Sequence, residues 1–262
     1  FMNSSLRNVD LFDSVTTIGA RAFAGCTQLE ALTLPNSLTT IGEGALDGLT
    51  GLKKLVIQCD PAIIPAGVFA NLPALSDVTV EFGAIPAHMF EGSGVTVLTL
   101  GAGVTEIGDS AFANTALTTA EMQNVTAIGA GAFANTALTS AEIQNVTAIG
   151  AGAFEGSALE RVQLNAAASV GERAFANTKL TKMVIPTAGS FPLSAVEGTS
   201  AELRLPADAT DEHLAARNET LERPWYNPML REGDASNFAK MHFEPPPAQT
   251  FALDPDTGLS SA

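Results

Sequence analysis

The strongest constraint on this chain is that it repeats itself. Residues 113–133 (ANTALTTAEMQNVTAIGAGAF) and 134–154 (ANTALTSAEIQNVTAIGAGAF) differ at two positions in 21. The residue that closes this unit recurs as Phe1, Phe23, Leu46, Phe69, Phe90, Phe112, Phe133, Phe154, Phe175 and Val196. The nine intervals run from 21 to 23 residues. One such unit cannot bury its own apolar residues, so the period calls for a stacked array.

Other columns keep the same register. Five residues before the anchors stand Ile18, Ile41, Ile64, Ile85, Ile107, Ile128, Ile149, Val170 and Phe191, and each is followed by Gly or Pro. Two residues after every anchor comes Gly or Asn, from Asn3 to Gly198. These residues tolerate a left-handed backbone, so a corner with positive φ is expected there. Between corners runs L-x-x-L-x-L, as in Leu29-Leu32-Leu34 and Leu52-Leu55-Ile57. Its last apolar residues alternate with polar ones, the period of a short strand. The Ile-Gly-x-x-Ala-Phe stretch has apolar residues at i, i+4 and i+5, which suits one helical or 3₁₀ turn. With parallel strands about 4.8 Å apart, nine coils extend roughly 45 Å.

The segments LEALTLPNSLTTIG (29–42) and IGARAFAGCTQL (18–29) resemble the leucine-rich repeat of the BspA type. The resemblance covers about residues 1–206. The expected fold is an α/β repeat solenoid. It is a right-handed leucine-rich repeat with one short parallel strand and one short helical or 3₁₀ turn per coil. The resemblance also implies a bacterial protein, secreted or attached to the cell surface. Its implied role is adhesion to host matrix proteins such as fibronectin or fibrinogen, or to other bacteria.

The ends depart from the period. Phe1 already sits on an anchor, so the first coil is cut and further coils or a cap are expected upstream. After the solenoid (1–206), residues 207–231 are expected to close the stack. Residues 208–222 (DATDEHLAARNETLE) read as a capping helix, with acidic residues in its first turn and Trp225 and Tyr226 beyond it. Residues 232–262 carry Pro245-Pro246-Pro247 and read as an irregular tail or linker.

Chemistry is sparse. With 13 basic and 28 acidic residues the net charge is −15, which disfavours nucleic acid and anionic membrane surfaces. No stretch is apolar enough to span a bilayer. His88, His213 and His242 lack metal-ligand spacing, and His88 reads as a surface residue. No nucleophile elbow or phosphate loop occurs, so neither catalysis nor a cofactor is expected. Cys26 and Cys59 occupy different places on the coil and read as free, buried thiols.

The outward strand positions are the candidate binding surface, expected on the concave face. Its central row contains Thr79, Thr99, Glu121, Glu142 and Gln163. Thr119, Ser140 and Arg161 lie two residues before that row, and Gln123 and Gln144 lie two after it. Glu121 and Glu142 are expected on neighbouring rungs, roughly 5 Å apart. A cation site there would need more oxygen ligands than the two Glu and two Gln supply. The expected partner is a protein, met by a monomer through weak contacts along an extended face. The alternatives are a passive stalk that presents another domain, and glycan binding, which the lack of aromatics on this face disfavours.

Overall fold

The chain winds into a parallel β-solenoid, shown by a computed structural model that describes residues 1–165, 168–205, 207–208 and 230–231. Short strands form one row: β1 (Thr17–Ile18), β3 (Thr40–Ile41), β8 (Ala127–Ile128), β10 (Ala148–Ile149) and β12 (Ser169–Val170). Longer strands form the other: β2 (Ala31–Leu34), β4 (Lys54–Ile57), β7 (Thr119–Glu121), β9 (Ser140–Ile143), β11 (Arg161–Leu164), β13 (Lys182–Val184) and β14 (Glu202–Leu205). In β5 (Asp77–Ile85) and β6 (Val97–Ile107) the two rows run together, with irregularities between Val80 and Phe82 and between Gly83 and Ala84. The expectation of one strand per coil is therefore corrected to two. A two-residue strand is too short to show alternation in sequence.

The expected helical turn is also corrected. From Gly108 to Asn114, alternate N–H groups leave the coil. Ser110, Phe112 and Asn114 donate to the carbonyls of Ala130, Ala132 and Ala134 in the next coil, each at 2.8 Å. The N–H groups between them turn back locally, Ala111 to Gly108 and Ala113 to Ser110. In a helix every N–H would point along its own axis. Here half of them bind the coils together.

The same local bonds close into a 3₁₀ turn at one coil. There Ala195 donates to Pro192 and Glu197 to Ser194, and Leu193–Val196 forms a 3₁₀ turn. The other 3₁₀ turn, Pro61–Ile63, lies at a different corner, capped by Asp60, whose carboxylate accepts the Ala62 N–H at 2.9 Å.

All ten Gly/Asn corners have positive φ, from Asn71 at 55° to Gly48 at 72°. A second left-handed column stands two residues before the anchors: Arg21, Gly44, Gly67, His88, Ser110, Gly131, Gly152 and Arg173. A non-glycine residue held there costs about 1–2 kcal/mol. The inter-coil bonds offset that cost, since the same residues donate forward, Arg21 to Glu43 and His88 to Asp109.

The core is a set of ladders along the stack. Phe69, Phe90, Phe112, Phe133, Phe154 and Phe175 are fully buried, and successive rings stack with centroids 5.2–6.0 Å apart. Beside them runs a column that changes character. It is Cys26, Leu49 and Leu72 in the first coils, then Ser93, Thr115, Thr136, Ser157 and Thr178, all buried. The hydroxyls of Ser93, Thr115, Thr136 and Thr178 donate to the carbonyls of their own Phe anchors at 2.6–2.9 Å. Where the column is hydroxylic, the loop from anchor to strand is one residue shorter, as Phe90–Thr99 against Phe69–Thr79 shows. In these four coils the hydroxyl ties the tighter loop to the anchor carbonyl and satisfies itself while buried, whereas the buried Ser157 hydroxyl has no such partner.

The expected capping helix (208–222), Trp225, Tyr226 and the 232–262 tail lie outside the described residues. Leu230–Arg231 is described as strand β15, which pairs in parallel with β14.

Candidate functional site

The long-strand row places the candidate residues as one lattice. Thr33, Val56, Thr79 and Thr99 are successive partners across β2, β4, β5 and β6. Glu121, Glu142, Gln163, Val184 and Arg204 continue across β7, β9, β11, β13 and β14. Thr119, Ser140 and Arg161 are likewise register partners. Alternation keeps Ala120, Ala141 and Val162 inward and turns Glu121, Glu142 and Gln163 to solvent. Gln123 and Gln144 are exposed but lie in turns beyond β7 and β9, at the margin of the lattice. Their carbonyls accept the side-chain amides of Asn145 (2.5 Å) and Asn165 (3.0 Å).

The lattice has one interruption that the sequence did not signal. No strand pairing joins Thr99 of β6 to Glu121 of β7, although Glu106–Ile107 pairs with β8 on the other row. A cleft of about 70 Å³ opens there, lined by Leu100, Gly101, Glu121, Met122, Gln123 and Asn124 among others. The candidate residues thus fall in two groups: Thr79 and Thr99 before the break, and the other eight after it. A shallow depression of about 490 Å³ lies over β9, β11 and β13. Its lining includes Ser140, Glu160, Arg161, Gln163, Lys182 and Val184.

Fixed charge pairs stand towards the two ends. Glu30 takes Lys53 at 3.0 Å and Arg7 at 3.5 Å, and Lys54 meets Asp77 at 3.3 Å. The Lys53 hydrogen bond holds the exposed Glu30 carboxyl below the usual range. Arg173 bridges Glu155 (2.6 Å) and Glu197, which raises its own pKa, the Glu155 hydrogen bond contributing most. Arg204 pairs with Glu202 at 2.8 Å. Between these groups Glu121 and Glu142 stand side by side.

Reactive chemistry is not concentrated anywhere in view. Cys26 and Cys59 are free and buried, as expected. Burial pushes the Cys59 thiol up to about 11, which keeps it protonated and a poor nucleophile near neutrality. His88 is exposed and bonded to Glu91 at 2.7 Å. Among the described residues no three His, Cys, Asp or Glu side chains gather to hold a metal. No described helix is long and apolar enough to cross a membrane.

The repeats also match a family model, described as "BspA type Leucine rich repeat region (6 copies)", over residues 1–118 and 83–199. The chain belongs to that family. In this BspA-type protein the apolar columns of the repeat are the buried ladders, and the outward strand positions form the exposed lattice. Solved structures with some similarity include a leucine rich cell surface protein from Faecalibacterium prausnitzii A2-165. It is 18% identical, with 77% of this chain and 85% of that one covered and a TM-score of 0.28. Another is a leucine-rich repeat protein from Bacteroides ovatus ATCC 8483, at 17% identity, with 84% and 76% covered and a TM-score of 0.37. No curated protein matches the chain.

Proposed function

We propose that this BspA-type chain is a non-enzymatic surface or secreted protein that binds another protein through its long-strand lattice. The observation that carries this reading is the register itself. Eight exposed candidate residues from Thr119 to Gln163 sit on and beside three strands whose partners are fixed rung by rung. Side chains held on a hydrogen-bonded ladder lose little further freedom on binding, which favours recognition by a flat polar face. The family supports the surface setting and adhesion to host matrix proteins or to other bacteria. The lattice carries no Trp or Tyr, so affinity from one compact hot spot is not expected. Multivalent contact along the stack fits better.

Binding of the purified chain to immobilised fibronectin, fibrinogen and a glycan panel tests this. The measurement belongs at about 0.15 M salt, where exposed charges beyond ~8 Å are screened. A saturable signal for a protein, not competed by free sugars, is the expected result. A blank panel from a chain folded by circular dichroism would contradict the proposal and leave the passive stalk. Competition by sugars would point instead to glycan recognition.

A further inference from the structure

We infer that the interruption between β6 and β7 is a hinge, about which the long-strand lattice opens while the other sides of the same two coils stay shut. The hinge belongs to the chain's own backbone and needs no partner. It adds a movable joint to the surface proposed above for binding.

The coil after the break shows which bonds are missing at it. Thr139 donates to the Thr118 carbonyl through its N–H at 3.1 Å and its hydroxyl at 3.4 Å, and Asn145 reaches the Gln123 carbonyl with its side-chain amide. Thr118 and Asn124 hold the same places one coil earlier. Among the described residues neither makes these bonds to the coil of β6. Side-chain cover fails at the same point. Leu98 and Leu100 are only half-buried, although Val78 and Val80 before them and Ala120 and Met122 after them are buried. The cleft beside Leu100 and Asn124 is the open end of this seam.

The other sides of the same coil pair are latched. Thr126 donates to Thr105 at 2.8 Å and Gly129 to Ile107 at 2.7 Å, while Glu106 and Ile107 pair with Ala127 and Ile128. At the corner Asn114 donates to Ala134 at 2.8 Å, and the Phe112 and Phe133 rings stack 5.5 Å apart. Opening therefore swings about the short row and the ring stack, where bonds and buried area are kept. The sequence supplies the cause. β6 pairs with β5 from Val97 to Ile107, and two glycines let it press close. A Cβ on Gly101 would lie 2.2 Å from the Glu81 carbonyl oxygen, and one on Gly103 2.4 Å from Phe82 Cβ. From Thr99 to Phe112 is 13 residues, against 12 from Glu121 to Phe133, so this coil is also longer than the one it meets. Swinging the seam open breaks no strand pairing, because none joins β6 to β7. It turns the rungs up to Thr99 as one block against those from Glu121 onwards.

Distances between pairs of nitroxide labels, measured by pulsed electron resonance on the folded chain, test the hinge. Cys26 and Cys59 are fully buried and stay unlabelled. Val56→Cys/Glu142→Cys spans four rungs across the break on the long row. Ala84→Cys/Ser169→Cys spans four rungs across the same coil pair on the short row. Thr119→Cys/Glu202→Cys spans four rungs of the long row beyond the break. Each pair of Cα atoms is about 19 Å apart at 4.8 Å per rung. The distance distribution of the first pair is expected to be about twice as wide as that of either other pair, as hinge opening requires. Equal widths in all three would overturn the inference. So would equal breadth in both long-row pairs, since the motion would then belong to the whole row and not to the break. The measurement involves no ligand, so its failure leaves the binding proposal standing, and a blank binding panel leaves the hinge standing.

Discussion

Phe133→Ala is expected to lower the stability of the chain by about 4 kcal/mol, read from the shift of its urea midpoint. The Phe133 ring is fully buried and stacked between Phe112 and Phe154, with centroids 5.5 and 5.4 Å away and rings within 8° of parallel. Truncation opens a cavity flanked by two rings that cannot close up, because the coil spacing is fixed by hydrogen bonds above and below. Phe112 N–H to Ala132 O and Phe133 N–H to Ala153 O, at 2.8 and 2.7 Å, hold both sides. The chain itself supplies the milder control. Leu46 occupies the same slot, is 1% exposed and interrupts the ring stack between Phe23 and Phe69. Phe133→Leu should therefore cost only about 1–2 kcal/mol. A loss below about 1 kcal/mol for Phe133→Ala would mean that the coils can collapse onto one another, contrary to the rigid spacing described here.

Gly150→Ala is expected to cost about 3 kcal/mol, although it adds a single methyl group. Gly150 does not have positive φ, so the reason is contact and not conformation. An added Cβ would strike the backbone of the preceding coil, 2.6 Å from the Gly129 carbonyl carbon and 2.8 Å from Ala130 Cα. Gly42, Gly108, Gly129 and Gly171 face the preceding coil in the same way. Backbone atoms cannot swing aside as a flexible side chain could, so the coils must separate. Gly19 stands in the same column of the first described coil, and a Cβ there meets nothing within 4 Å. Gly19→Ala should be neutral within about 0.5 kcal/mol. Equal thermal shifts for the two variants would show that the column is occupied by glycine for some reason other than coil contact.

These two columns show what a sequence can and cannot convey. The ten Gly/Asn corners were legible because positive φ restricts residue type, and all ten are left-handed. The Ile-Gly column looks similar on paper but has a different cause, visible only once neighbouring coils are in place. The second left-handed column stayed hidden because half its members are Arg21, His88, Ser110 and Arg173, the first three held there by backbone bonds to the following coil. Local residue choice does not register a conformation imposed from outside. The buried hydroxyl column did leave a signal, the change from Cys26, Leu49 and Leu72 to Ser and Thr where the loop shortens.

For the candidate site, spacing alone gave the rows, since a fixed period in a parallel stack determines which residues become neighbours. Glu121 and Glu142 are register partners for that reason. The break between Thr99 and Glu121 and the depression beside Arg161 could not be read the same way. They depend on how wide each coil is, and Ala120 and Ala141 in strand-core positions give no count of that.

The most direct test of the binding account compares lysine substitutions on the two strand rows. The wild-type chain, Glu121→Lys/Glu142→Lys on the long row and Ala148→Lys/Ser169→Lys on the short row would be titrated against the matrix protein that binds. Circular dichroism would confirm that all three are folded. All four positions are exposed, so folding should survive. The account predicts at least about a tenfold rise in Kd for the long-row variant, or 1.4 kcal/mol, and no more than about twofold for the short-row variant. Unchanged affinity in the long-row variant, with loss in the short-row one, would contradict it and move the binding surface to the opposite strands.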